Sequence, residues 1–240
     1  MDTNNKFFTE NSGDHYGSQN NDWDYAWIIL LVLFLSQIIT PFVMSLVFAF
    51  DVYKGILIGI WTAHLFTAAV IIFIHYFGSG LSITRLGLGQ PQMGWLRSLT
   101  LIFFLYALNL IAEYLYLNFL GFPLQQHIRS LVAEIATGDR YILFLTLLAA
   151  VTISAPIIEE MVFRGHLLEV MEKKTGPIIA ILISSLLFSG LHFDFYSFPL
   201  QLLLGLSLGI VYILNRSILP AVILHSLINI TGFIQYIEKP

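Results

Sequence analysis

Hydrophobic residues are gathered along the chain into long stretches that short polar segments separate. A helix needs about 20 apolar residues to cross a hydrocarbon core of roughly 30 Å, and helices satisfy their own backbone hydrogen bonds in lipid. Seven spans are predicted on this basis, at residues 25–50, 55–77, 98–120, 141–164, 177–193, 199–214 and 217–237. The predicted fold is therefore all-α, a polytopic transmembrane helical bundle with a central polar cavity.

The segment between the third and fourth spans has a different pattern. Residues 122–140 are too polar to span a bilayer, but their apolar positions recur at helical spacing. This is typical of a helix that lies along the membrane interface or enters only partway, which would raise the count to eight. No linker divides the chain, so residues 25–240 are expected to form one membrane-embedded unit.

Composition narrows the chemistry that the chain can perform. Of the 240 residues, 57% are hydrophobic and 11% are charged, against roughly 25% charged residues in an average soluble domain. This excludes an ordinary cytosolic globule. The chain has no cysteine, which excludes thiolate nucleophiles and Cys-ligated metal sites, so catalysis would depend on oxygen and imidazole groups.

The charged residues outside the spans indicate how the chain lies in the membrane. Residues 1–24 are acidic and rich in Asn, Asp, Ser and Gly, which predicts a disordered tail rather than a cleaved signal. Lys173, Lys174 and Arg216 flank the last loops and favour a cell-membrane protein with a cytoplasmic N-terminal side. Because basic residues do not cluster, nucleic acid is not an expected partner.

Ionisable side chains within the spans are few, and each is a candidate functional residue because burial in lipid is costly. They are Glu113, Glu159, Glu160, Arg164, His64, His75, His192 and His225, with Asn229 one turn after the last. Glu160 and Arg164 are at i and i+4 on span four and can form an ion pair, while Glu159 is rotated about 100° away. Pro156 is expected to bend the helix beside these carboxylates and make room for water or substrate.

Counting along the helices predicts which of these groups meet. Spans four and five turn near Gly176, and Glu160 and His192 lie equally far from it, about 24 Å at a rise of about 1.5 Å per residue. His225 and Asn229 share one face of span seven at a comparable depth if the hairpins stack. These side chains are therefore expected to converge on one cavity.

Such a group of side chains suits the activation of water against an amide bond. A carboxylate in an apolar cavity can accept a proton from water, and an imidazole can share or relay it. His225 and Asn229 could donate hydrogen bonds to the oxyanion of a tetrahedral intermediate.

Three motifs on successive spans carry a resemblance to a known family. They are EExxxR at 159–164, FxxxH from Phe188 to His192, and HxxxN from His225 to Asn229. In type, order and spacing the chain resembles the CPBP family of intramembrane proteases, which includes type II CAAX prenyl endopeptidases and bacteriocin-processing and abortive-infection proteins. The resemblance covers roughly residues 80 to 235, with a motif-bearing core at about 141–235.

The resemblance implies an intramembrane endopeptidase that cleaves a peptide bond near the membrane surface. It implies that Glu159 and His192 activate water and that His225 and Asn229 stabilise the oxyanion. Glu160, Arg164 and Phe188 would then shape the site. The implied substrate is a peptide or protein, lipidated or membrane-anchored, and no cofactor is required.

Two alternatives stay open at the sequence level. Glu159, His192 and His225 would also suit a zinc site with an open position for water, which makes a metalloprotease the second mechanism. A different class of function is a non-proteolytic scaffold or transporter in which the same polar cluster fixes helix packing or binds a ligand.

Other polar positions in the spans are interpreted as structural. The segment from Gly205 to Gly209 matches the GxSxG pattern of serine hydrolases, but it lies within a continuous apolar stretch and is expected to form a GxxxG packing face. His64, His75 and His127 have no partner motif and are expected to make packing hydrogen bonds. Glu113 is left open between a packing role and a place in the cavity.

Overall fold

Seven helices follow one another in the computed structural model, which describes residues 14–74, 76, 87–120 and 140–238. They are α1 (Asp14–Val47), α2 (Val52–Phe73), α3 (Trp95–Leu120), α4 (Tyr141–Thr175), α5 (Pro177–Gly190), α6 (Phe198–Asn215) and α7 (Leu219–Glu238). No strand occurs in the described ranges, so the prediction of an all-α fold is confirmed. Apart from Arg140, the predicted interfacial segment at 122–140 lies outside the described residues.

The helices match the predicted apolar stretches, but they are not all long enough to span. Five of them, α1, α2, α3, α4 and α6, have the length and composition to cross a membrane. The apolar parts of α5 and α7 are shorter, at Pro177–Gly190 and Leu219–Gln235. Helix α5 ends early because the chain turns after Gly190, where Phe193 has a positive φ of 52°. The chain is thus a multi-pass membrane protein with five long apolar helices.

The first helix begins earlier than the apolar pattern predicts. It starts at Asp14 rather than at residue 25, so residues 14–24, predicted to belong to a disordered tail, are helical. Extending an existing helix costs far less than nucleating one, which allows a polar segment to continue the span outward. Residues 1–13 lie outside the described ranges.

Small residues allow two pairs of helices to approach closely. In α2, a Cβ at Gly59 would lie 2.3 Å from the Pro41 Cα of α1. In α6, a Cβ at Gly205 would lie 3.0 Å from Ser185 Cβ, and one at Gly209 3.0 Å from Ile181 Cγ2, both on α5. The GxxxG packing face predicted for Gly205 and Gly209 is therefore confirmed.

Helix α4 is not a uniform α-helix. Two π-helical segments interrupt it, Ala150–Ser154 and Phe163–Leu168. The first directly precedes Pro156, whose ring would clash with the carbonyl of an ordinary preceding turn, and the wider π turn provides the room. The irregularity expected at Pro156 thus takes the form of a π-helix just before the two carboxylates.

Candidate active site

Glu160 and Arg164 form a fully buried ion pair on one face of α4. Arg164 Nη1 donates to Glu160 Oε1 at 2.9 Å, and both side chains have an exposed fraction of 0%. The guanidinium also donates from Nη2 to the Gly205 carbonyl of α6 at 3.1 Å. The predicted i, i+4 pair therefore joins α4 to α6 as well as compensating a buried charge.

His225 of α7 stands between the two neighbouring carboxylates. Its Nδ1 lies 2.9 Å from Glu160 Oε1, and its Nε2 lies 3.8 Å from Glu159 Oε2. An ionised carboxylate only accepts hydrogen bonds, so Nδ1 carries the proton towards Glu160. The ring is thereby oriented with Nε2 facing Glu159.

Glu159 is the more accessible of the two carboxylates. Its side chain keeps 20% of its surface exposed, whereas that of Glu160 keeps none. Glu159 Oε2 is nevertheless buried and accepts no hydrogen bond from the described residues. Oε2 is thus the oxygen on the side of His225, and the exposed fraction of the Glu159 side chain belongs to its other atoms.

Asn229 lies one turn beyond His225 and contacts the first π-helical segment. Its Nδ2 donates to the Val151 carbonyl at 2.9 Å. A π turn leaves backbone carbonyls without their usual partners, and this bond satisfies one of them. In this structure Asn229 therefore ties α7 to the irregular part of α4 that leads to the carboxylates.

Phe188 forms a common wall for the two histidines. Its ring centroid lies 4.8 Å from that of His192 and 5.6 Å from that of His225. The Arg164 Cζ lies 4.8 Å from the same centroid, and the Phe163 ring packs edge-on at 5.3 Å. Phe188 is 1% exposed, so it holds these side chains in place from the centre of the cluster.

His192 lies just beyond the end of α5 and is exposed. Its Nδ1 lies 2.7 Å from the Phe188 carbonyl. Because a carbonyl only accepts, Nδ1 donates, and in the neutral ring Nε2 is the nitrogen left to accept a proton.

A cavity of about 240 Å³ lies between α1, α4 and α5. Glu159 and His192 both line it. Glu160, to which the equal-depth prediction applies, is fully buried and is not among the lining residues. Contrary to the expectation that they converge on the same cavity, His225 and Asn229 are not among its lining residues. The cavity differs from the expected central polar one, because most of its lining is apolar and α1 forms one wall. The lining residues are Leu33, Phe34, Gln37, Ile38, Glu159, Phe163, Phe188, Leu191, His192 and Phe193.

Gln37 is the polar cavity residue that the sequence did not identify as a candidate. It lies on α1, outside the three motifs, and a lone glutamine in an apolar stretch carries no pattern of its own. Its place in an apolar span was the one available signal, because a polar side chain there needs a partner.

The remaining polar residues of the spans do not line this cavity. His64 of α2 is buried, and its Nδ1 lies 2.7 Å from Ser154 Oγ at the end of the first π-helical segment. This contact fits the packing role expected for His64. Glu113 lies half-buried on α3, away from the cavity lining. His75 and His127 lie outside the described residues.

The three residues of the alternative zinc site do not come together as a ligand set. No group of three or more His, Cys, Asp or Glu side chains suited to a metal ion occurs in the described part of the chain. His192 Nδ1 is taken up by the Phe188 carbonyl, and His225 Nδ1 by Glu160. Both bonds leave Nε2 open, and only the Nε2 of His225 lies near Glu159, at 3.8 Å.

The four C-terminal helices of the chain match a known family. Residues 141–231 match the family model described as Rce1-like, type II CAAX prenyl endopeptidase. No curated protein and no solved structure is significantly similar to the chain. The matched residues include all three motifs and end just after Asn229. Residues 141–231 are thus a domain of the Rce1-like, type II CAAX prenyl endopeptidase family.

Proposed function

We propose that the chain is an intramembrane endopeptidase that hydrolyses a peptide bond at the cavity between α1, α4 and α5. The observation that carries the proposal is that Glu159 of α4 and His192, which lies just beyond α5, line one cavity of about 240 Å³. The family match at residues 141–231 supports the same class of reaction. The substrate is a peptide or protein, lipidated or membrane-anchored.

In the proposed mechanism Glu159 is the general base. Its carboxylate takes a proton from a water molecule whose oxygen attacks the scissile carbonyl carbon, while His192 Nε2 orients that water. The resulting tetrahedral intermediate collapses when the C–N bond breaks, and the proton held at the site passes to the leaving amine. The products are a new carboxylate and a new amine, so no cofactor or redox partner is needed.

His225 and Asn229 are proposed to stabilise the negative oxygen of the intermediate. Donors placed in advance at a water-poor site are worth more than the same donors in water. Because His225 Nδ1 donates to Glu160, the ring would donate to the oxyanion from Nε2, which requires the imidazolium form. His225 is buried, and its hydrogen bond to Glu160 fixes the ring. Asn229 has a second N–H beside the one that donates to Val151. Glu160, Arg164 and Phe188 would act by positioning His225 and His192.

A glutamate mechanism without a metal is proposed in preference to a zinc mechanism. The support is geometric, since Glu159, His192 and His225 are not grouped around one point in the part of the chain that the structure describes. The Nδ1 bonds of the two histidines leave both Nε2 atoms open. A zinc site would need these nitrogens, together with Glu159, to face a common point.

The test is cleavage of quenched fluorescent peptides by the detergent-purified protein. Lipidated and unlipidated peptides are compared, with and without a chelator, for the wild type and His192→Ala. We expect turnover of at least one peptide that the chelator leaves unchanged and that His192→Ala lowers by about 10²-fold or more. Equal rates for the two proteins on every peptide would instead favour the non-proteolytic scaffold or transporter.

We further propose that the N-terminal side of the membrane protein is cytoplasmic. The exposed Lys173 and Lys174 and the adjacent Arg216 lie together at the ends of α4 and α6, as the positive-inside rule requires. Because the chain has no cysteine, Lys174→Cys can be probed alone. An impermeant thiol reagent should label it only after the cells are permeabilised.

A further inference from the structure

The polar side chains of α1 face two different surroundings, the interface with α2 and the cavity. Ser36 Oγ lies 3.1 Å from Thr67 Oγ1, and Thr40 Oγ1 donates to the Gly59 carbonyl at 2.7 Å. Both bonds join α1 to α2. Gln37 follows Ser36 and is rotated about 100° from it, so it points away from this interface. It takes no part in the hydrogen bonds that hold the two helices together.

Gln37 instead shares a stripe of α1 that faces the cavity. Leu33, Phe34 and Ile38 line the cavity with it, at the spacing of one helix face. Across the cavity lie Glu159 and His192. Within the set of lining residues that the structure describes, Gln37 is the one polar side chain that is not ionisable, and the others are apolar.

A peptide substrate brings polar backbone groups into this apolar space. Each peptide unit has an N–H and a C=O, and burying them without partners costs several kcal/mol. In the proposed mechanism Glu159 and His192 are committed to the attacking water. The peptide unit beside the scissile bond therefore needs another partner, and a glutamine amide can both donate to a carbonyl and accept from an N–H.

We propose that Gln37 binds the backbone of the substrate, pairing with the peptide unit next to the scissile bond. Gln37 is a positioning residue, and the inference rests on the proposed proteolytic function. It also gives α1 a part in the site, although α1 lies outside residues 141–231 that match the family. The site would thus select an extended peptide chain with a free N–H near the cleavage position, independently of its side chains.

The experiment combines a protein variant with a substrate variant. Gln37→Leu keeps a similar size and suits an apolar span, and Gln235→Leu on α7 is the matched control outside the cavity. A backbone contact made equally in the ground and transition states contributes to KM rather than to kcat. We therefore expect Gln37→Leu to raise KM about tenfold with kcat nearly unchanged, and Gln235→Leu to leave both constants as in the wild type.

The second part of the experiment measures KM for substrates that are N-methylated at single positions around the scissile bond. Methylation at one of these positions should raise the KM of the wild type about tenfold. The same methylation should change the KM of Gln37→Leu little further, because that variant already lacks the partner of the methylated N–H. If no position shows this coupling, or if Gln37→Leu keeps the wild-type KM, the inference is wrong. Gln37→Met replaces Gln37→Leu if the latter does not fold.

Turnover measurements distinguish a failure of the proposed proteolytic function from a failure of the role assigned to Gln37. A wild-type protein that cleaves no peptide, or cleaves as fast without Glu159, overturns the proposed function and this inference with it. Turnover that depends on Glu159 but not on Gln37 overturns only the role of Gln37.

Discussion

Glu160 and His225, which are 65 positions apart in the chain, are joined by a buried hydrogen bond of 2.9 Å between Oε1 and Nδ1. The same Oε1 accepts from Arg164 Nη1, also at 2.9 Å. One carboxylate oxygen thus holds α4 and α7 together and fixes the ring whose other nitrogen faces Glu159. The orientation of the His225 ring therefore depends on a carboxylate that is itself fully buried.

Removing the charge of Glu160 should destabilise the protein. Glu160→Gln keeps an acceptor for His225 but leaves the Arg164 guanidinium, 0% exposed, without a counter-charge. Breaking a buried ion pair from one side typically costs about 3–5 kcal/mol. We expect a loss of this size, measured by thermal or denaturant unfolding in detergent.

A second substitution tests whether the unpaired charge of Arg164, rather than altered packing, causes the loss of stability. Glu160→Gln combined with Arg164→Met removes the uncompensated cation while keeping the acceptor for His225 and a side chain of similar length. We expect this double variant to recover most of the stability that the single variant loses. A double variant no more stable than Glu160→Gln would show that the lost charge is not the cause.

Phe188→Ala should disturb both histidines together. The side chain is 1% exposed and contacts His192, His225 and Arg164, so its removal leaves a cavity at the centre of the cluster. We expect a loss of about 3–5 kcal/mol in unfolding free energy and a fall in turnover.

The matched control is Phe195→Ala, because Phe195 is 89% exposed in the turn after α5. Its truncation should change stability by less than about 0.5 kcal/mol. Similar losses from the two phenylalanines would contradict a central role for Phe188.

Packing of α6 against α5 can be tested at Gly209. A Cβ there would lie 3.0 Å from Ile181 Cγ2 and 3.3 Å from Ile181 Cγ1, so Gly209→Ala should cost about 1–3 kcal/mol through overpacking. Adding Ile181→Ala removes the clashing atoms, and the pair should then be less than additive in its effect on unfolding.

Gly190→Ala serves as the control for this pair. Nothing lies within 4 Å of a Cβ at Gly190, so this variant should unfold like the wild type. If Gly190→Ala and Gly209→Ala lost the same unfolding free energy, the effect at Gly209 would not come from close contact between α5 and α6.

Much of the fold and part of the candidate site could be predicted from the sequence, because they depend on helix length and periodicity. Long apolar stretches gave the helices to within a few residues, except where α1 and α4 continue past the apolar part. The i, i+4 spacing gave the Glu160–Arg164 pair. Equal distances from the turn at Gly176 predicted that Glu160 and His192 lie at one level, and Glu159, the neighbour of Glu160, lines one cavity with His192.

What could not be predicted depends on contacts between distant helices. Gln37 reaches the cavity through the packing of α1 against the motif-bearing helices, and no local pattern encodes that packing. The bond from Asn229 to the Val151 carbonyl exists because a π-helical segment frees that group. A π turn differs from an α turn only in hydrogen bonding and has no composition of its own.

The most direct test of the account is the turnover of Glu159→Gln. This substitution keeps the shape of the side chain and removes its ability to take a proton from water. The matched control is Glu169→Gln on the same helix, where Glu169 forms a partly exposed ion pair with Lys173. We predict that Glu159→Gln folds like the wild type and loses about 10²–10⁴-fold in kcat, while Glu169→Gln keeps its rate. A folded Glu159→Gln protein that cleaves the same peptide at the wild-type rate would contradict the central claim.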